Sequence, residues 1–169
     1  MTDAPAPARS IVPPGPASRF GITVMAGTLI VDQVSKSIAV ATIKESVPRA
    51  ILPILDLYYT ENPGIAFSFL RGSNPTLLLI AVIAVAIAIL VFWARSKEGG
   101  KLAALGFGFI VGGAIGNIVD RLVYGHVIDF LHLHIGARTL FVFNLADVAL
   151  TLGPILLVAA FLLPQRRGT

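Results

Sequence analysis

Residues able to do chemistry recur in this chain inside or beside long apolar runs: Asp32 and Lys36, then Asn117, Asp120 and Arg121, then Asp129, then Asn144 and Asp147. The chain has no cysteine, so disulfides, thiolate metal sites and thiol nucleophiles drop out together. Carboxyl chemistry remains. Asn144 suits a helix N-cap, and Asp147 follows three positions later, where the positive end of the helix favours an ionised carboxylate. Asp129 lies in the apolar run Val127-Ile128-Asp129-Phe130, where burial favours the protonated form. One ionised and one protonated carboxyl facing each other can work on a carbonyl, the first taking a proton from water and the second protonating the carbonyl oxygen. Such a pair titrates as a unit, so the two roles could exchange.

The elements that position these groups follow from composition. Of the 169 residues, 56% are apolar and 13% charged, against about 25% charged in an average soluble domain. Lipid must therefore solvate most of the exterior. A helix crossing the hydrocarbon needs about 20 mostly apolar residues, and the chain offers four such spans, at about 20–43, 73–94, 102–119 and 147–164. Asn74 and Pro75 suit the cap and first turn of the second. The first is interrupted by Asp32 and Lys36, which share a helix face one turn apart. Residues 1–19, rich in Pro and Ala, predict a disordered tail, and 165–169 a short second tail. The expected fold is an all-α membrane protein of four transmembrane helices with a small β element.

Four spans put both termini on one side. The Lys and Arg residues divide almost evenly between the sides, but Arg95, Lys97, Lys101, Arg166 and Arg167 sit tight against span ends. They favour the termini as cytoplasmic. The long loops, 44–72 and 120–146, then face outward. In the first, two β-prone runs flank Pro63-Gly64 and suggest a hairpin. Phe92 with Trp93, and Phe141 with Phe143, would suit interfacial aromatic belts. Asp32, Asn117, Asp120, Arg121, Asn144 and Asp147 all reach the outer part of the membrane, delivered by separate segments. Gly112, Gly113 and Gly116 would let the third span pack closely on a neighbour.

The motifs come in order: Asp32-Gln33-Val34-Ser35-Lys36; Glu61-Asn62-Pro63-Gly64-Ile65-Ala66-Phe67-Ser68; Gly112 through Arg121; Gly125-His126-Val127-Ile128-Asp129-Phe130; and Phe143-Asn144-Leu145-Ala146-Asp147. In this the chain resembles the lipoprotein signal peptidases (signal peptidase II), bacterial intramembrane aspartyl proteases, over roughly residues 20–164. The resemblance implies that Asp129 and Asp147 are the catalytic pair. It implies that Asp32, Lys36, Asn62, Gly64, Asn117, Asp120, Arg121 and Asn144 bind substrate or support the site. It further implies an enzyme of the bacterial inner membrane without cofactor or metal, and a monomer with no nucleic-acid partner. Its substrate would be a diacylglyceryl-modified prolipoprotein that arrives laterally from membrane lipid and is cut just before the modified cysteine. The family's outer loop forms a small β-sheet that cradles the substrate.

Plainer readings stand beside these. Asp32 and Lys36 could be a structural ion pair, Asn144 a helix cap, and Asn62-Pro63-Gly64 only a turn. Asn117, Asp120 and Arg121 could cap and anchor a helix end, Asp129 and Asp147 could be helix-end caps or solvated loop acids, and Asp129, His132 and His134 could suggest a metal site. Zinc chemistry asks for three protein ligands with an open position, however, and Leu131-His132-Leu133-His134 reads as an interfacial strand with exposed imidazoles. A serine-lysine peptidase would need Lys36 as base with Ser68 or another loop serine as nucleophile. A proton- or ion-coupled transporter would carry its carboxylates nearer the midplane, and a purely structural subunit leaves the clustering of acids unexplained.

Overall fold

The computed structural model describes residues 12–43, 47–64 and 74–163. The run after Pro63-Gly64, Ser68 and most of both tails lie outside these residues. Four helices, α1 (Arg19–Ile43), α2 (Pro75–Arg95), α3 (Gly100–Tyr124) and α4 (Leu145–Leu162), are each long and apolar enough to cross a membrane. Four strands, β1 (Arg49–Leu52), β2 (Leu55–Asn62), β3 (Val127–Ile135) and β4 (Arg138–Phe143), form one antiparallel sheet in the order β1-β2-β3-β4.

α3 is the central helix. Its buried residues run from Gly100 to Asp120, whereas α1, α2 and α4 leave large apolar side chains such as Ile30, Ile80 and Ile155 exposed, as lipid-facing helices do. Without a hydrophobic drive between helices in lipid, close packing must hold them, and α3 supplies it with glycine on two faces. Gly108, Gly112 and Gly116, four residues apart, meet α1: a Cβ on Gly112 would stand 2.8 Å from Met25 O and from Thr28 Cβ. Gly106 and Gly113 meet α4, where a Cβ would stand 2.8 Å from Gly153 O and 2.7 Å from Ala146 O. The glycine patch expected to serve one neighbour therefore serves two. A methyl at Gly116 would strike Asp32 Oδ2, while one at Gly27 meets nothing within 4 Å. Gly116→Ala is expected to cost about 1–3 kcal/mol through overpacking, and Gly27→Ala to be neutral or mildly stabilising. Thermal unfolding in one detergent separates the two, and equal midpoints would contradict this packing.

The helix ends have local causes. The Asn74 side chain accepts from the Thr76 and Leu77 N–H groups (2.9 and 3.4 Å), with Pro75 in the first turn of α2. Asn144 and Asp147 form a capping box that opens α4. α3 continues past Val119 to Tyr124, further than the expected span, because the charges of Asp120 and Arg121 turn inward to partners. It stops at Gly125, whose positive φ of 77° suits glycine and whose N–H closes on Arg121 O. Trp93 does not join an interfacial belt. It is 1% exposed, stacked on Phe107 at 5.7 Å, and its indole N–H donates to Pro14 O at 2.9 Å.

The sheet sits at one end of the bundle. Ala39 and Ile43 of α1 pack with Phe130 of β3, joined by Leu57, Tyr59 and Leu145. β2 turns from β1 at Pro53-Ile54 and pairs on its other edge with β3, in a register that sets Thr60 opposite Asp129 and Asn62 opposite Val127. Asn62 is therefore diagonal to Asp129 on one face of the sheet.

Candidate active site

Where the sheet meets the helices, the residues singled out from the sequence converge into one connected polar network. Its base is an ion triad. Lys36 Nζ lies 2.8 Å from both Asp32 Oδ2 and Asp120 Oδ2, with Asp32 0%, Lys36 2% and Asp120 0% exposed. The ammonium donates in addition to Asn117 Oδ1 at 3.0 Å. Its three protons are thereby committed, which leaves none for a serine hydroxyl. Ser35 turns away and donates to Asp32 O at 2.7 Å.

Each carboxylate of the triad also accepts from a backbone N–H. Asp32 Oδ1 accepts from Ala146 N at 2.9 Å, and Asp120 Oδ2 accepts from Ile128 N at 3.1 Å. These are the residues immediately before Asp147 and Asp129. One buried ion cluster thus grips the chain beside both aspartates, one at the start of α4 and the other at the start of β3.

Three amides carry the network onward. Asn117 Nδ2 donates to Asp147 Oδ1 at 3.0 Å. Asn144 Nδ2 donates to Asp129 Oδ1 at 2.7 Å, with longer contacts to Ile128 O and Asn117 Oδ1, while Asn144 N reaches Asp147 Oδ2 at 3.4 Å. Asn144 therefore bridges the two aspartates as well as capping α4. Asn62 Nδ2 donates to Asp129 Oδ2 at 2.9 Å, and Asn62 Oδ1 accepts from Gly64 N at 3.0 Å. Arg121 closes the ring: one terminal nitrogen donates to Gly64 O and the other to Asn117 O.

Asp129 is 1% exposed. Burial pushes its carboxyl up to about 7, and the nearby Asp147 charge adds to the rise against the opposing hydrogen bonds from Asn62 and Asn144. Asp147 opens on two clefts, one on either side of α4. A cleft of about 280 Å3 lies between α2, α3 and α4, apolar along Ala86, Ile89 and Ala114 and polar at its top, where Asn117, Arg121 and Asp147 line it. The other, of about 230 Å3, lies under Phe141 and Phe143 of β4.

Gln33 belongs to the network and was not among the expected site residues. Its amide nitrogen contacts Asp120 Oδ1 (3.0 Å), Asp32 Oδ2 (3.2 Å) and Gly116 O (3.2 Å). The signal was an amide at membrane depth between two charged residues, since such a group must find partners. His132 and His134 stand apart from the network. Their rings stack at 5.1 Å and both face Asp56 Oδ2, at 3.6 and 3.2 Å. This mutual packing leaves them partly buried rather than exposed. Among the described residues no group of three or more His, Asp or Glu side chains is arranged to hold a metal ion.

The comparisons with known proteins agree with this architecture. The model of the signal peptidase (SPase) II family matches residues 24–163. The lipoprotein signal peptidase of Methylocella silvestris is 41% identical over 145 residues, covering 82% of this chain and 83% of its own. That of Sphingopyxis alaskensis is 37% identical over 165 residues, covering 90% and 91%. Two solved bacterial membrane enzyme structures superpose with TM-scores of 0.74 and 0.71 at 28% and 32% identity, covering 93% and 83% of this chain and 98% and 86% of theirs. Four membrane-length helices fit a protein of the bacterial inner membrane. By matched length, identity and fold, the chain belongs to the signal peptidase II family of aspartic peptidases.

Proposed function

We propose that this protein cleaves diacylglyceryl-modified prolipoproteins just before the lipid-bearing cysteine, with Asp129 and Asp147 as a metal-free catalytic dyad at the outer face of the membrane and both termini in the cytoplasm. The observation that carries this reading is Asn144, whose side chain donates to Asp129 and whose backbone N–H reaches Asp147, the aspartate that lines the cleft between α2, α3 and α4. Asp147 takes a proton from water as the resulting hydroxide attacks the scissile carbonyl carbon. Asp129 gives its proton to the carbonyl oxygen, and a gem-diol forms. As the C–N bond breaks, Asp147 passes its proton to the leaving cysteine nitrogen and Asp129 recovers one from the gem-diol. The products are a carboxylate-ended signal peptide and a free-amine lipoprotein, and the dyad returns to its starting state. The ion triad and Gln33 do not touch the reacting atoms; the triad holds the backbone beside each aspartate, and Gln33 holds the triad's two carboxylates.

Purified protein given a diacylglyceryl-modified prolipoprotein is expected to release the signal peptide with a chelator present, and the unmodified precursor to stay intact. Cleavage that stops with chelator, or that ignores the lipid, would overturn this assignment.

The pH profile follows from Asp129. A carboxyl raised to about 7 holds its proton below that pH and loses it above. If Asp129 is the acid, kcat/KM falls on an alkaline limb near pH 7, an apparent value that belongs to the pair. Asn62 donates to the ionised form, so Asn62→Ala moves the limb to higher pH. A limb that moves down, or stays fixed, would place the acid elsewhere.

A further inference from the structure

On the α1 side of α4 lies an apolar groove of about 430 Å3 that the site described above does not use, within the roughly 300–1,000 Å3 typical of small-molecule clefts. Gly27 and Val31 of α1, Phe109 of α3 and Val148 and Leu152 of α4 are among its walls. From Thr23 to Val31 it follows α1 for about 12 Å at ~1.5 Å per residue. Its polar content is small, and the Thr28 hydroxyl is spent on Val24 O at 2.8 Å. Val31 and Leu152 are 56% and 42% exposed, so the groove opens sideways to lipid.

The groove adjoins a cavity that reaches Asp147. Val148 and Leu152 also line the cavity under Phe141 and Phe143, and Asp147 lines that cavity too. Asp147 therefore stands between two lateral channels of different chemistry. On the α2 side, Asn117 and Arg121 crown the cleft with donors suited to the carbonyls of a peptide. On the α1 side hydrocarbon walls run along α1 and α4 to Val148, next in sequence to the same aspartate. We propose that the α1–α3–α4 groove seats one acyl chain of the substrate's diacylglyceryl group, while the signal peptide occupies the α2 cleft. This rests on the prolipoprotein reading above and adds the place where the lipid is read.

Such a groove works by position. Lipid tails are as apolar as its walls, so entering it gains little from burial itself. A chain fixed there sets the modified cysteine at one depth and one distance from Asp147. The scissile bond just before that cysteine is then held in a reactive pose, where small misplacements cost large factors in rate.

Gly27 offers a clean test, because a side chain there enters open space and replacing a helical glycine favours the helix. Purified wild type, Gly27→Leu and Val31→Phe are given prolipoproteins carrying dipalmitoyl-glyceryl or dibutyryl-glyceryl cysteine. Wild type is expected to prefer the long-chain substrate, and each groove-filling variant to lower the long-to-short ratio of kcat/KM by about tenfold. Ile87→Phe, on an exposed position of α2 outside both channels, should keep the wild-type ratio. Val31→Phe fills the groove from its open side and keeps the test alive if Gly27→Leu does not fold. If both folded variants keep the wild-type ratio, or slow both substrates equally as displacement of a bulk phospholipid would, the groove does not read the substrate's chain. Failure of the prolipoprotein reading looks different: wild type would then cut neither substrate.

Discussion

Asp129→Asn and Asp147→Asn each reduce cleavage by about 10²–10⁴-fold, the contribution of a positioned acid or base, and the double variant is no slower than the slower single. Groups that act as one unit lose their effect together, whereas two independent residues would lose it in proportion. Asn is the nearest shape to Asp but not a silent one here. Both oxygens of Asp129 accept from amide N–H groups, those of Asn144 and Asn62. Both oxygens of Asp147 accept as well, from Asn117 Nδ2 and Asn144 N. An amide at either position turns one donor against another. Asn62 and Asn117 cannot flip freely to relieve it, because their Oδ1 atoms already accept from Gly64 N and Lys36 Nζ. A stability loss of about 1–3 kcal/mol accompanies each variant, so thermal unfolding must be read beside cleavage. A folded single variant with near-normal turnover would remove that aspartate from the chemistry.

Much of this architecture was legible because lipid leaves few options. The spans could be read from uncharged runs, since a backbone in hydrocarbon must satisfy its own hydrogen bonds. The cap at Asn74 and the capping box at Asn144 are local, and local chemistry reads well. What escaped is long-range. Asp120 and Arg121 resemble a helix end to any reader of charge, yet their partners lie on α1, β3 and at Gly64, so the helix runs on and the stop is Gly125. Pro63-Gly64 invites a hairpin whose second run lies outside the described residues, while β2 itself takes partners from β1 and from β3, which lies beyond the whole length of α2 and α3. No periodicity announces that pairing. The triad's grip on the Ala146 and Ile128 N–H groups was hidden for the same reason, since it joins residues far apart in sequence through backbone atoms that carry no identity.

That grip gives the second large effect. Lys36→Met keeps the apolar stem and removes the one cation between Asp32 and Asp120, both fully buried. Breaking a buried ion cluster by deleting one partner costs about 3–5 kcal/mol, because the charges left behind lose their compensation. Arg is not a conservative rescue, since a planar fork cannot take the place of a compact ammonium. The informative rescue removes the charges together. In the triple variant Asp32→Asn, Lys36→Met, Asp120→Asn, each amide oxygen can still accept from Ala146 N or Ile128 N. Most of the lost stability should return, as it does when buried ion clusters are replaced whole. Cleavage should return with it in part, because the backbone beside each aspartate is again held while the link from Lys36 to Asn117 stays broken. If the triad served stability alone, the triple variant would recover full activity along with its unfolding midpoint. If Lys36→Met unfolds and cleaves like the wild type, the triad is neither brace nor clamp. Recovered stability with cleavage held below wild type, and rising again when Asn117 is given a donor other than Lys36, is the signature of a network that orients the dyad.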